Sequence, residues 1–395
     1  MNDKQMKYEQ RGVSASKADV HTAIKHLDKG LYPNAFCKIL PDVVGGQKDF
    51  VNIMHADTAG TKTALAYLMW KQTGELGVWK GIVQDAVVMN VDDLACVGCV
   101  QDIILSSTIG RNKHLISADV ISEIINHLNT FSEKMRSLGV NWHLAGGETA
   151  DVGDIVRTID VGYTAFARMP RDKVVDINIR PGNQIVGFSS SGQASYEDSY
   201  NSGIGSNGLT SARHDVLDKS YAESFPETFD PNTPDEVVFC GSKKLTDYFV
   251  YENERYRVGD LLLSPTRTYV PLVNVIVENF HEKISGLVHC TGGGQTKVLN
   301  FTQGVKIVKQ DLFDIPPVFE LIRQESHANW RELYNVFNMG HRLEVYCEDM
   351  ATVNELVKCA QDFNIDAKHI GEVQSSQSNE LKLLSPDGWL HYGVN

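Results

Sequence analysis

The sequence predicts an α+β protein made of two α/β-layered domains. Its 395 residues exceed the size at which one hydrophobic core usually keeps growing, which favours two domains. Apolar residues recur at helical spacing in some segments and gather into short β-branched runs in others. The two kinds of segment alternate without the regular strand-helix-strand rhythm of a doubly wound sheet. Hydrophobic residues make up 42% and charged residues 22%, an ordinary globular balance. No apolar run approaches the roughly 20 residues that span a bilayer. The start, Met1 to Tyr8, lacks the apolar stretch of a signal peptide, so a cytoplasmic location and no membrane partner are expected. With 37 basic and 50 acidic residues the net charge is −13, which opposes non-specific binding to nucleic acid. Seven cysteines without a secretory signal do not read as a disulfide framework. Cys96 and Cys99 have no second pair at zinc spacing and read as buried reduced thiols.

Taken in order, residues 1–45 are polar with scattered glycines and predict an extended arm. A first domain over 46–172 opens with a strand over Phe50–Ala56, rich in β-branched residues and ending at Asp57. Val83, Val87, Val91, Leu94 and Ala95 recur at helical spacing, with Asp92 and Asp93 beside that stripe and free to face a cleft. Residues 116–138 repeat the pattern as a long amphipathic helix ending near Gly139. Strands over 140–145 and 158–166 complete the domain. A second domain over 173–395 follows the turn Arg180-Pro181-Gly182-Asn183, with a sheet flanked by helices. Its expected strands are 184–188, 284–290, 342–347, 368–373 and 381–384. Helices are expected to open at Ser206–Arg213, where Ser206-Asn207-Gly208 turns the chain, and at Pro316–Ile322, with another over 353–363. Residues 220–258 read as long loops.

Three acidic segments stand at the edges of apolar runs: Asp57 with Gly60-Thr61-Lys62, Asp92-Asp93-Leu94, and Gly146-Gly147-Glu148-Thr149-Ala150-Asp151. Mg²⁺ is held by a few carboxylate oxygens, waters and the phosphates of its nucleotide, while glycines let backbone N–H groups approach phosphate. Carboxylates from three elements beside glycines and one lysine therefore predict a magnesium–nucleotide site. No Gly-x-x-x-x-Gly-Lys-Ser/Thr loop occurs. Taken singly, Asp57 could end a strand, Asp92 and Asp93 could decorate a helix face, and Ser189 to Ser191 could simply turn the chain.

With Tyr8, Gly12-Val13, Ser190-Ser191-Gly192, Ser206-Asn207-Gly208, Pro265-Thr266-Arg267, His289 before Thr291-Gly292-Gly293-Gly294, and Phe337-Asn338-Met339-Gly340, these segments fall in an order that resembles the aminoimidazole ribonucleotide synthetase (phosphoribosylformylglycinamidine cyclo-ligase) family. The resemblance implies a homodimer whose N-terminal domain, a mixed sheet, forms a dimeric β-barrel. It implies ATP and Mg²⁺ as cofactors and formylglycinamidine ribonucleotide as substrate, closed to an imidazole in purine biosynthesis. It makes Asp57, Asp93 and Glu148 the metal ligands. Thr61, Lys62, Asp93, Gly146, Gly147 and Glu148 would hold the nucleotide, with Asp57, Lys62 and His289 catalytic and His289 handling a proton. Ser190, Ser191, Ser206, Asn207, Thr291, Gly292 and Asn338 would hold the substrate.

Some positions depart from the family pattern. Gly205 stands where the family has His before Ser-Asn-Gly, behind an insertion from about Gln193. Cys99-Val100-Gln101 and Leu105-Ser106-Ser107 replace Ala-Glu-Pro and Leu-Asp-Tyr, and His341-Arg342 replace a small apolar pair. His341 and His214 are the candidates to replace the missing imidazole. The alternatives are another ATP-using member of the same superfamily, such as a small-molecule kinase, and a diverged paralogue that binds nucleotide as a sensor or interaction protein.

Overall fold

The computed structural model describes residues 9–13, 23 and 26–394. Most of the expected arm before residue 26, Tyr8 included, lies outside them. Its described part is pinned to the body: the buried Arg11 pairs with Asp215 at 2.8 Å and bonds Ser211 Oγ at 2.6 Å.

The first sheet comprises β1 (Ile39–Pro41), β2 (Phe50–Thr58), β3 (Ile103–Arg111), β4 (Trp142–Asp151) and β5 (Ile159–Pro170), in the order β1-β2-β5-β3-β4. It is mixed, with β3 and β4 parallel and the other pairs antiparallel. The α+β class holds, but the expected barrel does not. The sheet is open, ending at β1 on one side and β4 on the other, and among the described residues these two edges do not pair.

One face of this sheet is covered by the helix Val78–Ala95, which packs on β2 and β5. That helix is apolar nearly all round because it is buried nearly all round, with Ala118–Ser137 and Val270–Phe280 against it. The other face is open, and register puts Met54, Phe166 and Ile104 side by side across β2, β5 and β3. Met54 is 62% exposed and Ile104 40%.

The second sheet has seven strands in the order β14-β13-β10-β12-β6-β11-β9: β6 (Gln184–Ser189), β9 (Ile284–His289), β10 (Val305–Lys309), β11 (His341–Cys347), β12 (Ala367–Ser375), β13 (Asn379–Ser385) and β14 (Gly388–Val394). Successive side chains point to opposite faces, so Val186 and Phe188 join the core that contains the first sheet, while Ile185 joins a second core around Phe239, Val318 and Tyr334. Residues 220–258, expected as loops, include a hairpin of β7 (Tyr248–Tyr251) and β8 (Glu254–Arg257). The helices Lys62–Thr73 and Val270–Phe280 and the strands β3, β10 and β14 were not expected from the sequence.

Candidate active site

In β2 the odd-numbered residues face the helix Val78–Ala95. His55 Nδ1 lies 3.0 Å from Asn90 Oδ1, and its Nε2 lies 3.5 Å from Asp93 Oδ2. The Asn90 amide also reaches the Asp57 carbonyl at 3.4 Å, so Asp57 and Asp93 border the same patch. Both are only partly buried. Carboxylate oxygens at such a margin are the hard donors Mg²⁺ takes, with the remaining positions left to water and phosphate.

Asp93 also reaches across to the second sheet. His289, at the end of β9, is fully buried, and its Nδ1 lies 2.8 Å from Asp93 Oδ1. Arg342 on β11 donates Nε–H to His289 Nε2 at 3.0 Å. That donor leaves Nε2 as acceptor, so the proton resides on Nδ1 and is given to Asp93. Asp92 points the other way. It is buried and accepts from Thr268 Oγ1 at 2.6 Å and from the Tyr269 amide at 3.0 Å. Burial raises its carboxyl, against the pull of Arg342 and of these two hydrogen bonds. The cleft-facing orientation expected for Asp92 is therefore not found.

Lys62 is fully buried, and its ammonium meets Asp85 Oδ1 at 2.9 Å, the Gly205 carbonyl at 3.0 Å and the Ser264 carbonyl at 2.5 Å. Burial lowers its pKa while Asp85 works against that shift. All three ammonium protons are used, so a phosphate could reach Lys62 only by replacing one of these partners. Thr61, at the start of the helix Lys62–Thr73, lies 2.7 Å from Thr210 in the first turn of Leu209–Val216 (Oγ1 to Oγ1). Two helix N-termini thus face one another, and neither carries a side-chain cap bond.

The Ser206–Asn207 turn lies beside the Thr291–Gly294 loop: a Cβ on Gly292 would meet Asn207 Nδ2 at 3.8 Å. Glycine is required at 208, where φ is +79° and a Cβ would come within 2.5 Å of Phe337 Cε1. Ser190 and Asn338 are buried and bonded to each other at 2.7 Å, with the Asn338 amide also on the Gly203 carbonyl at 2.7 Å. Ser191 offers its carbonyl to Arg267 Nη1 at 3.0 Å. Arg267 is held in turn by Glu197 through a two-point pair at 3.0 and 2.6 Å. The segment after Gln193 is therefore anchored to the core, with Ala194, Tyr196 and Ile204 buried, while Asp198, Ser199 and Tyr200 between them are exposed.

Glu148 is not brought to this cluster. The β4 strand continues through Gly146, Gly147 and Glu148 as an exposed edge, three strands from β2, or about 14 Å at ordinary strand spacing. Asp151 on the same edge pairs with Arg111 at 2.8 Å. Of the substitute imidazoles, His214 is packed on Phe239, accepts from its amide at 3.2 Å and is pushed down to about 2 by burial. His341 lies 2.9 Å from Glu344 Oε1 within another buried network. Neither is placed on the Asp93 cluster. Cys290, His341 and Glu344 bring possible metal-ligating atoms within 4.8 Å of one another. Glu344 is already engaged by Lys309, His341 and the Tyr346 hydroxyl, so an ammonium stands where a cation would.

Sequence reasoning gave no site role to His55 or Asp85, nor to Arg267 and Arg342, which stood out only as parts of motifs. Asp85 had no local signal, because its partner is on another helix. Arg342 had one: His341, Arg342 and Glu344 stand together in one short strand, and buried charges there need partners.

Two family models match the chain, the N-terminal domain of AIR synthase related protein over residues 41–169 and its C-terminal domain over 180–383. The chain belongs to the AIR synthase related family. As a member of the AIR synthase related family it is an ATP-using enzyme. A phosphoribosylformylglycinamidine cyclo-ligase of Methanocaldococcus jannaschii is 26% identical over 330 residues, 83% of this chain and 79% of that protein. One from Desulfotalea psychrophila is 26% identical over 403 residues, 97% and 98% of the two chains. The solved structure of AaThiL complexed with AMPPCP and TMP covers 95% of this chain and 96% of its own, at TM-score 0.50 and 11% identity, a likeness of fold. Among the described residues, no helix is long and apolar enough to cross a membrane.

Proposed function

We propose that this chain is an ATP-dependent cyclo-ligase that closes formylglycinamidine ribonucleotide to aminoimidazole ribonucleotide, releasing ADP and phosphate. The observation that carries the reading is the junction of the two halves: Asp93 of the first meets His289 of the second at 2.8 Å, and Lys62 meets Gly205 at 3.0 Å. Residues of the expected nucleotide site thereby touch the expected catalytic histidine and the loop that leads into Ser206-Asn207. The names of the similar proteins support the same reaction.

An amide oxygen is a poor leaving group. Transfer of the γ-phosphoryl to that oxygen gives an iminophosphate. The amidine nitrogen then attacks the carbon, the new C–N bond forms, the C–O bond to phosphate breaks, and the nitrogen loses a proton. The protein's part is positioning and charge neutralisation. On this reading Asp57 and Asp93 would hold Mg²⁺, which when bound neutralises phosphate charge. Glu148, Gly146 and Gly147 lie too far along the open sheet to join them within one chain. Thr61 and the paired helix starts receive phosphate oxygens. Lys62 acts by fixing the Gly205 loop. Ser206, Asn207, Thr291 and Gly292 border the substrate, while Ser190, Ser191 and Asn338 hold the loops that carry them. On this reading the Asp93–His289 pair takes the proton that is removed. We further propose a division into domains at about residue 172, and association of two copies through the open face bearing Met54, Phe166 and Ile104.

The test is ADP release with formylglycinamidine ribonucleotide, together with Mg²⁺–nucleotide titration of Asp93→Asn. Substrate-dependent turnover is expected in the parent, and a loss of nucleotide affinity of tenfold or more in the variant. ATP binding without substrate-dependent turnover would support the sensor reading instead. Unchanged affinity in Asp93→Asn would remove that carboxylate from the site.

A further inference from the structure

Seven buried side-chain polar atoms lack a hydrogen-bond partner among the described residues, and three of them belong to residues around Gly205: Arg342 Nη1, Ser206 Oγ and Asp85 Oδ2. Ser206 follows Gly205 in the chain. Asp85 is joined to the Gly205 carbonyl through Lys62. Arg342 Nη1 would lie 3.5 Å from a Cβ placed on Gly205. Leaving buried donors unpaired costs about 1–3 kcal/mol each, more for a charged group, so the absence of partners at one place needs a cause.

The guanidinium is held on every side but one. Nε donates to His289 at 3.0 Å, Nη2 donates to the Arg267 carbonyl, and the plane lies 5.4 Å from the Tyr269 ring centre. Arg342 is 2% exposed, and no carboxylate of the described residues forms an ion pair with it within 4.0 Å. Its free edge is therefore a fixed positive donor facing the glycine of the loop. Ser206 stands at the entrance to the helix Leu209–Val216, whose N-terminal dipole adds to the same field. Lys62 adds a second buried cation close enough to be felt by Arg342.

We propose that Arg342 Nη1 and Ser206 Oγ form a recognition point for a phosphoryl oxygen beside His289, with Gly205 leaving the approach clear. A phosphoryl group offers several acceptor oxygens to these two unpartnered groups beside Gly205, and the arginine fork suits it in charge and geometry. Two sources supply that chemistry, the terminal phosphoryl of the nucleotide and the phosphate monoester of a ribotide substrate. The ligand class rests on the cyclo-ligase reading, but the site is testable without turnover.

The full-length protein and its Arg342→Met and Ser206→Ala variants are titrated calorimetrically with ADP, AMPPCP and ribose 5-phosphate. Arg342→Met is expected to weaken either AMPPCP or ribose 5-phosphate by about tenfold to a hundredfold while ADP holds within twofold. Loss on AMPPCP assigns the nucleotide's terminal phosphoryl; loss on ribose 5-phosphate assigns the substrate's. Ser206→Ala should weaken the same ligand severalfold. The proposal is overturned if both variants bind both ligands within twofold of the parent, if ADP weakens equally, or if the parent binds neither ligand. Should Arg342→Met melt before it can be titrated, Ser206→Ala, which removes one oxygen, decides alone. Failure of ADP release with an intact arginine-dependent affinity would count against the cyclo-ligase reading and not against this site.

Discussion

His289 shows how little freedom a buried side chain retains once its neighbours are chosen. Arg342 occupies one nitrogen and Asp93 the other, so the ring is fixed in orientation and tautomer. A proton can move only along the Asp93 side without breaking the arginine contact. Glu344 is the opposite case, a carboxylate sealed wholly inside a network of its own. Burial alone would raise it, but Lys309 and His341 outweigh that and hold it down at about 2. An unfolded glutamate titrates near pH ~4.3. A depressed carboxyl contributes stability that is complete above the unfolded value and is lost as pH falls from about 4.3 through about 2. Glu344→Gln should therefore lower the melting temperature at neutral pH and flatten its fall across that acid window. Melting curves at several pH values read this directly, and an unchanged acid slope would argue against it.

At the scale of elements, one buried ion pair ties four segments together. Lys62 at the start of Lys62–Thr73 binds Asp85 in the middle of Val78–Ala95, and each also reaches a loop of the second half: Lys62 the carbonyls of 205 and 264, Asp85 the amide and hydroxyl of Thr266 at 2.7 and 2.6 Å. Removing one member of such a pair leaves a charge in a place without water, and costs about 3–5 kcal/mol. Lys62→Met should destabilise by that amount in urea unfolding, and adding Asp85→Asn should recover part of it, since the stranded charge is then gone. A double variant no better than the single would mean that the loop carbonyls, not the carboxylate, carry the effect. The helices themselves were partly legible. Ala118–Ser137 follows its apolar periodicity and Val78–Ala95 has a recurring apolar stripe although it is buried nearly all round, whereas Lys62–Thr73 shows no apolar face.

For the whole molecule, the open face of the first sheet is an unfinished feature. A row of Met54, Phe166 and Ile104 across three strands is what a mostly solvated face would not retain without a partner. Met54→Lys places a charge in that row and should shift light-scattering mass from dimer toward monomer with little change in melting temperature; a monomeric parent protein would overturn the expected association. What the sequence by itself determined was local or cumulative: the α+β class, the principal amphipathic helices, the strands at Phe50 and Gln184, and, through ordered motifs, the family. These follow from periodicity and residue order, which are properties of one stretch of chain at a time. Tertiary structure alone decided which acids meet, since Asp57 and Asp93 share a patch while Glu148 lies on a far edge. It also decided that Asp92 turns inward, that Lys62 is occupied by Asp85, and that the sheet stays open. The reason is that partners such as Lys62 and Gly205, or Arg342 and His289, are brought together by packing across 143 and 53 residues of chain, and no local pattern encodes such a contact.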